Sequence, residues 1–188
     1  MSKNVIQLIG DWYLKKVITN PGFTKVDAMK DIDLLLPEFK VKVLNAIFEF
    51  EKTHSYKVVF VETLRSAARQ LMHFNNGASK IRKGGMHEYA IACDCAFNID
   101  GHFSYDGDYA ALRLCFSNQG LFLLGDWDKG HVQLISVQDQ TELRRSVDYD
   151  IREFQRKYKL TVDGIVGPKT IAKAKEVFGE WIRFCNKK

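Results

Sequence analysis

The sequence predicts an α+β fold, and three features carry that expectation. Residues 90–97 alternate with period 2, two short apolar runs flank a tight G-D-W-D-K-G turn, and segments of helical periodicity stand before, between and after them. At 188 residues, with 46% hydrophobic and 27% charged side chains, the chain can bury one good core with a small appendage. No apolar run approaches the roughly 20 residues that span a bilayer, so stable membrane insertion is not expected.

The elements follow in order. Residues 37–52, P-E-F-K-V-K-V-L-N-A-I-F-E-F-E-K, read as a helix: Pro37 suits the first turn, and Leu44, Ile47 and Phe48 recur at helical spacing. Residues 56–61 are β-branched and aromatic, hence a strand. Ser66 caps a helix that runs to about Asn75 and closes at Gly77, and the Gly- and Lys-rich residues 76–86 form a loop. In 90–97, Ile91, Cys93, Cys95 and Phe97 point one way and Ala92, Asp94 and Ala96 the other. Small alanines on that second face leave space above a single carboxylate. A helix over 108–119 buries Tyr109, Leu112, Cys115 and Phe116 and stops at Gly120. Short strands follow at 121–124 and 132–135, the latter with Val132 and Leu134 toward the core and His131 and Gln133 on the other side.

The polar stretch S-V-Q-D-Q-T-E-L-R-R-S reads as a connector, which divides the chain into a larger domain, 1–140, and a helical segment, 141–188. Within that segment Asp150 and Glu153 resemble a capping box for a helix with the stripe Ile151, Phe154 and Tyr158. Pro168 starts a second helix, whose stripe Ile171, Ala174 and Phe178 continues through Trp181, Ile182 and Cys185. The net charge of +5 lies wholly in the tail: residues 1–140 balance 16 Lys/Arg with 16 Asp/Glu, whereas 141–188 carry 12 against 7. Such a tail suits an anionic polymer or a solvated surface. It lacks a recognisable nucleic-acid motif, so no nucleic-acid partner is expected. The four cysteines show no C-x-x-C spacing and read as reduced, and the N-terminus lacks the apolar segment of a secretory signal, which points to synthesis in the cytosol.

Chemistry concentrates in two strings. His87 and Asp94 lie in G-G-M-H-E-Y-A-I-A-C-D-C-A-F; Asp128 and His131 lie in G-D-W-D-K-G-H-V-Q-L. A catalytic zinc takes three protein ligands and keeps one position for water. Two neutral imidazoles and one carboxylate meet that need, and a further carboxylate beside the metal can take the water's proton. Strand parity separates the members of each pair. His87 therefore belongs to the loop before the strand that holds Asp94, and Asp128 to the turn before His131. Met86, Trp127 and Trp181 read as core or rim aromatics and apolar packing.

These strings resemble the zinc peptidases of the D-alanyl-D-alanine carboxypeptidase and L-alanyl-D-glutamate endopeptidase group, whose fold is shared with the hedgehog signalling domain. The resemblance covers roughly residues 37–136 and implies that His87, Asp94 and His131 bind one zinc ion. It implies Asp128 as the catalytic base and, from V-F-V-E-T-L-R-S, Arg65 as the residue that grips substrate. Two departures stand out: Gly85 where the family often has Ser, and Ala90 where it often has Gly. The turn before His131 is also short.

The tail string I-R-E-F-Q-R-K-Y-K-L-T-V-D-G-I-V-G-P-K-T resembles the helical peptidoglycan-binding module. Together the two resemblances imply a zinc endopeptidase that cuts the peptide stem of bacterial peptidoglycan between L-alanine and D-glutamate, in the manner of a phage or prophage endolysin acting on the wall after release through a holin pore; a monomer is expected. A D-alanyl-D-alanine carboxypeptidase and a non-catalytic wall-binding protein are the alternatives.

Overall fold

A computed structural model describes residues 3–180. The fold is α+β: helices surround a five-stranded antiparallel sheet with the path β1-β2-β5-β4, and β3 pairs with the far end of β2. The strands are β1 (Lys57–Glu62), β2 (Ala92–Ile99), β3 (His102–Ser104), β4 (Phe122–Leu123) and β5 (His131–Gln133). The helices are α1 (Lys3–Trp12), α2 (Pro37–Glu51), α3 (Ala67–Asn75), α4 (Tyr109–Asn118), α5 (Gln140–Lys157) and α6 (Pro168–Phe178).

Most elements form where local chemistry places them. Pro37 opens α2, the Ser66 hydroxyl accepts the Arg69 N–H at 3.0 Å to cap α3, and Asp108 does the same for Ala111 at 2.9 Å on α4. The buried face of α2 differs from the expected one. Phe39, Val43, Ala46, Ile47 and Phe50 are buried, whereas Leu44 and Phe48 face outward, Phe48 with 63% exposure under the Lys52 ammonium. Two apolar stripes compete on this helix, and the one carrying two phenylalanines and the small Ala46 is buried in the shared core. On α4, Leu112 and Phe116 are buried, while Tyr109 and Cys115 sit at the margin of the core.

The largest correction concerns residues 136–157. The expected connector is the first part of a helix: α5 starts at Gln140, so Asp150 is a mid-helix residue and not a cap. Leu143, Val147, Ile151 and Phe154 form its buried stripe, and α5 packs against α1. Asp150 lies so close to Gly10 that a Cβ there would fall 2.3 Å from its carboxylate. α1 itself, continuing as a wider π-helical turn through Tyr13–Val17, has no counterpart in the sequence reading. Its Ile6, Ile9, Tyr13 and Val17 join the same core cluster as Phe39, Phe97 and Leu143.

Within the tail, one buried amide organises the loop between α5 and α6. Gln155 accepts the N–H groups of Asp163 and Gly164 and donates to Asp163 Oδ1, the Ile165 carbonyl and Thr170 Oγ1. Gly164 takes φ +72°, a conformation glycine adopts cheaply. The F-Q and V-D-G-I-x-G-P-x-T residues are thus a single hydrogen-bonded unit. The proposed continuation of the stripe through Trp181, Ile182 and Cys185 lies outside the described residues. No helix among the described residues is long and apolar enough to cross a membrane.

Candidate metal centre

Sheet register brings the first two donors together. In the β2/β5 ladder Asp94 is paired with His131, and in β1/β2 the same Asp94 is paired with Glu62 next to a register shift. Directly opposed residues share a face of the sheet, so Glu62, Asp94 and His131 form a row across three strands. Gly130 permits the close approach of β5, since a Cβ there would sit 2.4 Å from the Cys95 carbonyl oxygen, next to the Cys95 N–H to Gly130 carbonyl bond of 2.9 Å.

The third donor arrives from the turn before β2. His87 lies in a 3₁₀ turn, Met86–Tyr89, which ends at Ala90 with φ +58°. That left-handed conformation is the one a glycine would adopt without strain, which gives the Ala90 departure a physical meaning. The segment after β1 clamps the turn: the Arg65 N–H donates to the His87 carbonyl at 3.3 Å.

His87 Nε2 lies 3.2 Å from Asp94 Oδ1 and 3.3 Å from His131 Nδ1, and His131 Nδ1 lies 2.9 Å from Asp94 Oδ1. Each imidazole has its outer nitrogen on an oxygen that accepts, His87 Nδ1 on the Thr63 carbonyl and His131 Nε2 on the Gln133 amide oxygen, both at 3.2 Å. The outer nitrogens therefore carry the ring protons, and both lone pairs converge beside a carboxylate. Two lone pairs at 3.3 Å repel unless a cation or a proton stands between them. A tetrahedral ion with bonds of about 2.0 Å would separate its ligands by roughly 3.3 Å, close to the spacing seen here. Among the described residues these three side chains form the cluster able to hold a metal.

The surrounding charges are unequal. In the metal-free cluster a proton at the inner nitrogens takes the cation's place. Burial alone would raise the Asp94 carboxyl, but in that protonated form the pull of His87 and hydrogen bonds from the imidazoles hold it well below the usual carboxylate range. His131 is raised, because Asp94 outweighs the lowering effect of burial. Asp128 behaves differently. It lies in the turn Asp126–Asp128 with Oδ2 3.9 Å from His131 Nδ1, and burial raises its pKa against the opposing pull of His131.

Arg65 is held in place from behind. Its Nε donates to Glu62 Oε2 at 2.8 Å, Nη2 also bonds that oxygen, and Nη1 donates to Gln70 Oε1 at 3.1 Å. Nη2 reaches within 3.6 Å of Asp94 Oδ2. Glu62 is buried and shared with Arg69, and Arg65 overcomes the effect of burial to keep its carboxyl below the usual value. Glu88, the acidic residue of the turn that carries His87, accepts the Gly85 N–H at 2.8 Å. In front of Asp94 opens a cleft of about 380 Å³, lined among others by Val61, Tyr105, Trp127, Asp128 and Gly130. Sequence reading singled out neither Glu62, Gln70 nor Tyr105, and Gln133 was noted only for its side of the strand. The one available signal was Gln133's placement two residues from His131, on the same strand face.

Residues 139–173 match the family model described as "Putative peptidoglycan binding domain". Among solved structures, the crystal structure of Serratia marcescens L-Ala D-Glu endopeptidase ChiX is similar at 18% identity, with a TM-score of 0.43 over 60% of this chain and 95% of that one. No curated protein matches the chain. A likeness this remote leaves the functional reading to the site's own geometry.

Proposed function

We propose that the chain is a zinc-dependent peptidoglycan hydrolase, an endopeptidase that cuts the peptide stem between L-alanine and D-glutamate. The observation that carries this reading is the convergence of His87 Nε2, Asp94 Oδ1 and His131 Nδ1 within 2.9–3.3 Å of one another, beside a separately tuned Asp128. The peptidoglycan-binding match over 139–173 supports the polymer as substrate, and the motif resemblance supports the choice of bond.

Zinc held by the three donors would supply Lewis-acid activation of the scissile carbonyl and of water. Asp128, on the cleft side of His131, accepts the attacking water's proton and passes it to the leaving amine. A raised pKa suits that exchange better than the depressed one of Asp94. Arg65 keeps N–H groups beyond those engaged by Glu62 and Gln70, and its planar fork orients a substrate carboxylate or carbonyl. The basic tail holds the wall. Cutting and wall-holding in one chain together support a lytic role of the phage or prophage endolysin type.

Digestion of purified peptidoglycan by the zinc-loaded protein, with the new chain ends identified by mass spectrometry, tests the reading. New N-terminal D-glutamate is expected. Free D-alanine would instead assign a carboxypeptidase, and no product would leave a wall-binding protein. For the tail, Lys159→Glu with Lys169→Glu is expected to weaken sedimentation with purified sacculi, most at low salt, because exposed charges are screened over about 8 Å at physiological ionic strength. Deleting 141–188 is the poorer test, since it removes Leu143, Val147 and Ile151 from the core.

A further inference from the structure

We infer that Gln140 and Arg144, which lie in the segment matching the peptidoglycan-binding family, are positioning residues that fix the ligating tautomer of His131 through Gln133. The inference rests on the zinc reading above and concerns how one of its ligands is held.

The chain of donors and acceptors has a forced direction. A guanidinium only donates. Arg144 Nη2 donates to Gln140 Oε1 at 2.9 Å, so the Gln140 oxygen faces Arg144 and its NH₂ faces Gln133. That NH₂ donates to Gln133 Oε1 at 3.3 Å. Gln133 is constrained from its other end as well, because its own NH₂ donates at 2.5 Å to the Ile135 carbonyl, which only accepts. Both constraints turn Gln133 Oε1 toward His131 Nε2, 3.2 Å away, and an amide oxygen there requires the ring proton on Nε2. The bare lone pair is then on Nδ1, the atom facing Asp94 and His87.

Burial makes the order binding. His131, Gln133 and Gln140 are all buried, so water does not rescue a reversed amide, and any single reversal sets donor against donor in a low-dielectric setting. Arg144 also reaches the other histidine's segment. Its Nε donates to the Gly84 carbonyl at 2.8 Å, and the next residue, Gly85, is bonded through its N–H to the Glu88 carboxylate beside His87. The first turns of α5 thus brace both segments that carry imidazole ligands. The wall-binding segment is in this respect part of the metal centre.

The test uses the full chain and two readouts: zinc affinity by chelator competition, and the imidazole nitrogen shifts of His131 in zinc-free protein in alkaline buffer. The variants are Gln140→Glu, which keeps its shape and its bond to Arg144 but donates nothing to Gln133, Gln140→Met, Arg144→Met and Arg144→Lys. Gln155→Met is the control, a buried amide whose bonds stay within the α5–α6 loop. Expected are a roughly tenfold weaker zinc affinity for the Gln140 variants and Arg144→Met, as for other groups that orient a ligating histidine, with a rise of the Nδ1–H tautomer. Arg144→Lys, still a donor only, should recover most of both. Gln155→Met should lower the melting temperature and change neither. Folded Gln140→Glu protein with wild-type zinc affinity and wild-type tautomer overturns the inference, as does an equal zinc loss in Gln155→Met. If wild-type protein takes up no zinc, the metal reading fails, and the tautomer readout still decides the positioning role.

Discussion

Floor and rim of the cleft each present an aspartate, and the two are set in opposite surroundings. Asp94 sits mid-strand in β2, cross-paired with His131, touched by both imidazoles and approached by Arg65 at 3.6 Å. Its carboxyl is held well below the ordinary range. Asp128 sits on a three-residue turn, its side chain 36% exposed, and burial raises its pKa. A ligand must stay ionised and fixed in place; a base must take up a proton and give it away. Environments that separate two like groups in this way are what the proposed roles of ligand and base require.

The sharpest break of this comparison is removal of a floor residue. Asp94→Ala or His131→Ala is expected to lose bound zinc and essentially all turnover, with metal content read by elemental analysis. Stripping zinc from the wild-type chain with a chelator should abolish turnover and lower the melting temperature, because a ligand bound only by the native state stabilises it. Full zinc retention in both variants would move the metal site elsewhere.

A rim substitution should behave differently. Asp128→Asn is expected to keep zinc and lose about 10²–10⁴-fold in turnover, the usual worth of a positioned general base. Near-normal turnover in zinc-loaded Asp128→Asn would erase the functional difference between the two carboxylates. At the join of floor and rim, Gly130→Ala should destabilise the fold by about 1–3 kcal/mol, the usual range for forcing an atom into a packed site. Its Cβ would meet the Cys95 carbonyl at 2.4 Å. Because His131 follows directly, zinc affinity should fall with the melting temperature; unchanged values for both would mean that β5 tolerates a shift away from β2.

The same division decides what the sequence reveals. His87, Asp94, Asp128 and His131 were legible as a set through the motif resemblance; strand parity then assigned each to a strand or a turn, and the structure places them accordingly. Parity carries no register, so the pairing of Asp94 with both His131 and Glu62 was not legible. The start of α5 was hidden for another reason. Leu143 and Val147 are the apolar part of its first two turns, and Gln140 is buried by hydrogen bonds that leave no periodic trace. On α2 the pattern was ambiguous, since two apolar stripes share one helix and tertiary packing, chiefly against α4, selects between them.

The mildest test concerns the outermost part of the rim. Trp127 is 79% exposed, and its indole lies back over Gly125, where a Cβ would come within 2.8 Å of the ring. Surface substitutions of this kind change stability by no more than about 0.5 kcal/mol. Trp127→Ala should therefore leave the melting temperature and zinc content unchanged. If the ring covers bound substrate, it loses an aromatic contact of about 1 kcal/mol, which is roughly a fivefold rise in KM with kcat preserved. Trp127→Phe should keep most of that contact. A fall in kcat at constant KM would point to a different role: the indole, one residue before Asp128, would then be setting the base's position, and the rim would be as closely tied to the chemistry as the floor.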